Sequence, residues 1–330
     1  MQKRVTLREI AEATGYSVIT VSKALRNHTD IALATRDYIH RKAEEMGYVV
    51  NGAANLLRSG RSMCIALSVV NIANSFWSLF ARHAELIARK NGYSMIILNV
   101  DMCVETECNA IRTALRQSVD GMLIDPSPGY RENVKMLENL KIPFVILEHP
   151  ATEDTMNSVT CDQSEGAYIS AGYMARRGCR RILFLNIEHF PWRRDAFYRG
   201  LRDAGLDPDE NAIYYDLKPD QEDMQALMAR MLAQHSDIDS VFAFNDSIAF
   251  DAIAALKRLG KRVPEDVKVV GNGDTSHYFN LPFELTSIHS SPIALAESAM
   301  GLLIDNLNAA EPQPPKHITI PVTLSEGESC

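Results

Sequence analysis

Apolar positions in residues 5–25 recur at helical spacing in two short runs. Leu7, Ile10 and Ala11 share one face of the first run, and Val21 and Leu25 share one face of the second. Thr6 and Glu9 have the spacing of a capping box, in which the Thr hydroxyl and the Glu carboxylate each take a backbone N–H at the helix start. Gly15 supplies a left-handed stop and Ser17 an N-cap for the second run. The pattern predicts a helix–turn–helix. Val18, Ile19, Ser22 and Lys23 are left on the outer face of its second helix. Two apolar side chains beside a cation suit water poorly. They suit a major groove, where methyls meet thymine methyls and a cation meets guanine O6 and N7. The competing reading at this point is an ordinary αα-hairpin.

A third helix is expected over about 33–46, with Tyr38, Ile39, Ala43 and Met46 inward, Gly47 as its stop, and Ala32 where a capping side chain would normally stand. Residues 51–62, NGAANLLRSGRS, combine helix formers with Gly52 over only two turns. Such a segment is marginal alone and is expected to be a linker when free and a helix when held. From residue 63 onward, short apolar runs alternate with amphipathic stretches, which implies parallel sheets with helical crossovers. The length fits two sheets of about five strands better than one sheet of ten. Residues 318–324 read as one last extended segment. The expected architecture is a small all-α head at 1–50, a hinge at 51–62, and an α/β body at 63–330 of two doubly wound parallel-sheet lobes. Lobe one would take about 63–160 plus 291–322, and lobe two about 161–290 plus the C-terminal tail. Ligands in such sheets sit at the C-terminal strand ends, here in the crevice between lobes.

The chain has 330 residues, a net charge of −8 and 46% hydrophobic content. The total charge argues against nucleic acid until its distribution is seen. Residues 1–62 hold ten basic and six acidic residues, a net of +4, and the remainder carries −12. A basic head on an acidic body is compatible with DNA, since phosphate attraction needs only local positive charge. The six cysteines form no CxxC and none has a histidine at metal spacing. No metal or cofactor is expected, and the thiols read as free groups of a cytoplasmic protein. No P-loop, HExxH or GxSxG occurs. GNGDTS at 271–276 lacks the third glycine of a dinucleotide loop, so no catalytic residue is assigned.

TLREIAEATGYSVITVSKAL, TRDYIHRKAEEMGY and NGAANLLRSGRS closely resemble the head and hinge of LacI-type bacterial transcription regulators. NIANSFW at 71–77, VTCDQSEGAYISAGYMARRGCRRI at 159–182, the stretch from VFAFND to VVGNGD at 241–274, and LPFELTSIHSSP at 281–292 extend the resemblance along the body. The resemblance implies a homodimer on a palindromic operator, expected to repress, with a small-molecule effector between two lobes like those of periplasmic sugar-binding proteins. By position it places Val18, Ile19 and Lys23 at base edges and Thr6, Ser17, Thr20 and Ser22 near phosphates. Asn51, Ala54 and Leu57 fall in a minor-groove hinge, where Leu57 wedges into a base step. Asn74, Phe76, Trp77, Asp162, Asn245 and Asp246 fall where the family contacts its effector.

Two departures alter that site. The family's effector-binding Asp after the Val-Val-Gly strand is Gly273 here, followed by Asp274. Its Arg three residues before a Gly-Phe is Phe197, before Gly200 and Leu201. Trp192, Arg193 and Arg194 lie in the same stretch as candidate replacements. An arginine directed into the cleft would favour an anionic ligand such as a sugar acid or sugar phosphate; the alternative is that both arginines face solvent. The first-lobe helix at about 76–90 is expected to meet its dimer mate through Phe80, His83, Ala84 and Ile87.

Overall fold

The structure is a computed structural model that describes residues 5–48, 60–149, 155–187, 190–218 and 223–330. It divides into two compact units, Met1–Ser62 and Met63–Cys330. Among the described residues no helix is long and apolar enough to cross a membrane.

The first unit contains α1 (Leu7–Thr14), α2 (Val18–Ala24) and α3 (Leu33–Glu45). The capping box forms in full: Thr6 takes the Glu9 N–H and Glu9 takes the Thr6 N–H. Gly15 closes α1 at φ +75°, a conformation in which a side chain is strained. Ser17 caps α2 through the Thr20 N–H, and the start of α3, at Ala32, has no side-chain cap. Ile10, Ala11, Val21, Ala24, Ile39 and Ala43 form the small core. Tyr38, expected inside, is 39% exposed and packs edge-on against Tyr16 instead. It is one step off the Ile39–Ala43 stripe, and the bulk of a Tyr exceeds what so small a core accommodates.

In the second unit, β1 (Cys64–Val69), β2 (Ser94–Asn99), β3 (Gly121–Ile124), β4 (Phe144–Leu147) and β5 (Ser158–Cys161) build one sheet. The other holds β6 (Ile182–Ile187), β7 (Ala212–Leu217), β8 (Ser240–Ala243), β9 (Lys268–Asn272) and β10 (Ser287–His289). Among the described residues each sheet has six strands rather than five. The single extended segment expected at 318–324 is two strands, β11 (His317–Ile320) and β12 (Thr323–Ser325), one per sheet. Pro321, without an N–H, interrupts the ladder between them. The sheet orders are β11-β5-β4-β3-β1-β2 and β12-β10-β9-β8-β6-β7. All pairings are parallel except β10 with β12.

The connecting helices follow from apolar stripes that the sheets cover. They are α4 (Ser75–Lys90), α5 (Val104–Arg116), α6 (Arg131–Asn139), α7 (Gln163–Arg176), α8 (Pro191–Asp203), the single turn α9 (Pro208–Asn211), α10 (Met224–Gln234), α11 (Asp246–Arg258), α12 (Thr275–Phe279) and α13 (Pro292–Asn308). Helix α13 returns to the first lobe, where Leu295, Ala299 and Leu303 join Phe80 and Ala84 of α4 in one core. Phe80 and Ala84 are therefore fully buried within their own chain, so the expected outward stripe on α4 shrinks to its half-buried members His83 and Ile87. The chain needs the Phe80 side of α4 to close the first sheet.

Helices α7 and α8 approach closely at Gly200. A Cβ built there lies 2.6 Å from the Tyr168 carbonyl oxygen and 2.9 Å from the Ala171 Cβ. Ala normally favours a helix over Gly by about 1 kcal/mol. Here the clash decides the sign, and Gly200→Ala is expected to lower stability by about 1–3 kcal/mol in thermal unfolding.

Candidate functional site

Two places gather chemistry. On the first unit, Val18 and Ile19 at the start of α2 are 43% and 70% exposed, although the helix buries Val21 and Ala24 completely. Lys23 lies on the same helix, with its ammonium on the Asp30 carboxylate. Hydrogen bonding to Lys23 holds the Asp30 carboxyl below its ordinary range. Thr6 stands at the N-cap of α1, Ser17 at that of α2 with its hydroxyl 2.9 Å from that of Thr20, and Ser22 lies within α2. Arg26 donates to the Ser22 hydroxyl at 3.1 Å and to its carbonyl at 2.8 Å, a cation that sequence reasoning passed over. Asn51, Ala54 and Leu57 lie outside the described residues.

On the second unit, a cavity of about 840 Å³ lies at the C-terminal ends of both sheets. Asn74, Phe76, Trp77, Arg193, Asn245 and Asp246 line it. Asn74 caps α4 through the Phe76 N–H. Trp77 stacks edge-on between Phe76 and Phe80, so it is at once cleft wall and core. Asn245, not Asp246, caps α11, accepting from the Ile248 N–H at 3.0 Å. Asp246 is 2% exposed and spends both oxygens on the protein, Oδ1 on the Ser287 hydroxyl at 2.6 Å and Oδ2 on the Thr275 N–H. Burial raises its pKa, and the Ser287 bond opposes the rise.

Four residues expected at the cleft are not on its wall. Asp162 turns to cap α7 through the Glu165 N–H. Its neighbour Gln163 lines the cleft instead. Asp274 is buried at φ +54° with its carboxylate 2.9 Å from His289 Nδ1, and Gly273 presents the backbone to the cleft in its place. Arg194 pairs with Asp195 and lies over the Tyr214 ring. Trp192 packs behind His149 and Phe190, both wall residues, rather than reaching the cavity.

The expectation that both arginines could face solvent fails for Arg193. Arg193 is 2% exposed, its Cζ sits 4.3 Å from the Phe244 ring centroid, and Nη1 donates to the Phe244 carbonyl at 3.0 Å. Among the described residues, its buried Nε has no hydrogen-bond partner. Burial lowers the guanidinium to about 10, and the negative Glu148 partly restores it.

The first lobe contributes two acids to which the sequence reading gave no role at the cleft. Asp125 follows β3 and accepts the Val70 N–H through Oδ2 at 3.1 Å. Burial pushes it well above the carboxylate range, against the Val70 bond, and Glu148 and Glu107 push it further. Glu148 follows β4 and accepts the Cys161 N–H and the Gln163 amide, each at 2.7 Å. Burial raises it, while those bonds and Arg193 oppose the rise. Buried Glu107 holds the loop after Asp125 by accepting from the Ser127 N–H and, at 2.8 Å, from Asn133. The lobes are tied across the cleft by Ser75 to Thr275 at 2.9 Å and by a chain from Glu148 through Gln163 to Asn272. Asp125 and Glu148 each stand directly after a buried strand, at the sheet end where α/β ligands bind. That position was the signal available for finding them.

Among the described residues no group of three or more His, Cys, Asp or Glu could hold a metal ion. Aromatic walls with convergent amides, carboxyls and a guanidinium instead suit a compact ligand carrying hydroxyls, whose apolar faces stack while its hydroxyls bridge the polar groups.

Residues 6–51 match the lacI family of bacterial regulatory proteins, and residues 171–330 match a periplasmic binding protein-like domain. The transcriptional repressor PurR of Vibrio vulnificus is 27% identical over 93% of each chain. A LacI-family regulator from Silicibacter pomeroyi shares the fold with a TM-score of 0.82 at 23% identity, covering 98% of this chain and 99% of its own. A periplasmic binding protein/LacI regulator from Alkaliphilus metalliredigens, solved with D-xylulofuranose, is 25% identical with a TM-score of 0.69, covering 81% of this chain and 98% of its own. With a capped helix–turn–helix ahead of two parallel-sheet lobes, the chain joins a DNA-binding domain of the lacI family of bacterial regulatory proteins to a periplasmic binding protein-like domain.

Proposed function

We propose that this regulator is a cytoplasmic repressor that binds a palindromic operator as a homodimer and changes its affinity when a sugar or sugar derivative occupies the cleft. The observation that carries the reading is the outward face of α2, where Val18 and Ile19 are exposed while Val21 and Ala24 of the same helix are fully buried. Val18, Ile19 and Lys23 read base edges, and Thr6, Ser17, Thr20 and Ser22 approach phosphates. Lys23 leaves Asp30 to do so, which raises the electrostatic cost of engaging a wrong sequence. The repressor role is supported by the PurR relative, and the sugar by the D-xylulofuranose bound to the Alkaliphilus protein. Effector contacts come from Asn74, Phe76, Trp77, Arg193 and Asn245, with Asp246 bracing the wall behind them. Because both lobes line the cavity, a ligand that binds one lobe arrangement better shifts the population toward it, with coupling of about 1–3 kcal/mol.

The test is retardation of a pool of palindromic duplexes by the full chain. Selective retardation, weakening steeply with salt and altered by sugars, is expected. Failure to retard any duplex at low salt, with and without sugars, rejects the proposal.

A further inference from the structure

The guanidinium of Arg193 has two kinds of donor left over. Its Nη1 is used by the Phe244 carbonyl, whereas among the described residues neither Nε nor Nη2 makes a hydrogen bond. Among the described residues no carboxylate lies within 4.0 Å of it, although Glu148 is near enough to be felt as an opposite charge. A buried cation without an ion-pair partner is costly, and a ligand carboxylate would supply the counter-charge. The open edge, Nε with Nη2, is the side of the fork that takes a carboxylate through two parallel bonds. Nε is shielded from water in this lobe arrangement, so reaching it requires a small shift of the side chain or of the lobe.

The opposite wall presents different chemistry. Asp125 lines the cavity with one oxygen on the Val70 N–H, and among the described residues the other makes no hydrogen bond, so it can accept from or donate to a hydroxyl. Phe76 and Trp77 of the first lobe and Phe190 and Phe244 of the second supply stacking surface. The charge balance of the wall limits the ligand further. Asp101, Asp125, Glu148, Asp246 and Asp251 face Arg193 and Lys218. The N-terminus of α11, a natural anion seat, is already capped by Asn245 Oδ1 and carries the acidic Asp246 in its first turn. A dianionic phosphate would meet this acidic wall without a helix end or a second contact cation at Arg193.

Resting on the reading of the cleft as the effector site, we propose that the effector is a hydroxylated monocarboxylate, a sugar acid, with its carboxylate on Arg193 and its hydroxyls on Asp125. The carboxylate docks on the second lobe and the hydroxyls on the first, so one molecule bridges both.

The experiment is calorimetric titration of the full chain with aldonates and uronates of the common pentoses and hexoses, their neutral parent sugars and the corresponding sugar phosphates. The expected result is that one acid binds at least roughly tenfold more tightly than its parent sugar and its phosphate. Arg193→Gln is expected to weaken that acid roughly ten- to a hundredfold and to erase its advantage over the parent sugar. Arg193→Lys, which keeps the charge but not the fork, is expected to retain part of the advantage. The ratio of the two affinities within one variant does not depend on the fraction folded. If Arg193→Gln fails to fold, the Lys variant carries the test, and an undiminished preference in it overturns the proposal. A neutral sugar or a phosphate that binds tighter than every acid and alters operator retardation overturns the sugar-acid assignment and leaves the repressor reading standing. Absence of binding by the whole panel overturns both the assignment and the sugar reading of the cleft.

Discussion

Asp125→Asn raises the stability of the ligand-free protein at neutral pH and flattens its decline with rising pH. Asp125 is buried, and its folded pKa is raised well above the ordinary 3.8. A carboxyl with a raised folded pKa binds more protons folded than unfolded. Its contribution is therefore fully present below about 3.8 and is lost as pH rises through the folded value. Asn keeps an oxygen for the Val70 N–H and carries no charge to desolvate beside Glu148. A gain of about 1–3 kcal/mol at pH 7 is expected, read from thermal melts of both proteins between pH 4 and 8. Some slope remains in the variant, because Glu107, Glu148 and Asp246 are raised by burial in the same direction. The same change weakens any ligand that places a hydroxyl on Asp125, so stability and effector affinity move oppositely. A variant less stable at pH 7 with an unaltered pH slope would remove the charge-burial argument.

Ile19→Asp abolishes operator retardation while leaving the melting of the protein almost unchanged. Ile19 is 70% exposed and absent from the core of Ile10, Val21, Ala24 and Ile39, so its replacement removes no packing. An effect on stability within about 0.5 kcal/mol is expected. On the operator, the same position would hold a carboxylate against base edges and phosphates. That exchanges a methyl contact for desolvated like charge, and a loss of at least roughly a hundredfold in affinity is expected. The measurement is retardation alongside thermal unfolding for the variant and the parent. Retention of near-parental affinity would show that another face of the first unit meets the DNA.

Elements carried by strong periodicity are legible in the order of residues alone. The capping box of Thr6 and Glu9, the Gly15 stop, the Ser17 cap and the ten main strands of the body follow from local sequence because their causes are local. The site is less legible. Asp125 and Glu148 each look like the polar end of an apolar run, and neither belongs to a motif with internal spacing. Asp162 and Asp274 have the residue type of a ligand contact, yet helix capping and the His289 pair claim them. Their neighbours Gln163 and Gly273 reach the cleft because successive residues at a strand-to-helix turn point in different directions.

By itself, the sequence determined the kind of molecule: a helix–turn–helix with an unusual apolar outer face, a body of alternating strands and helices, and the crevice where a ligand would sit. These rest on interactions between residues a few positions apart, where spacing and side-chain type are sufficient. Only the tertiary structure decided that Arg193 enters the cleft over Phe244 while Arg194 stays at the surface with Asp195. Adjacent residues on a helix point about 100° apart, and which of two arginines is buried depends on a strand more than forty residues away. It also decided that the last extended segment splits at Pro321 between two sheets, because strand partners are chosen by the edges left unpaired across the whole body.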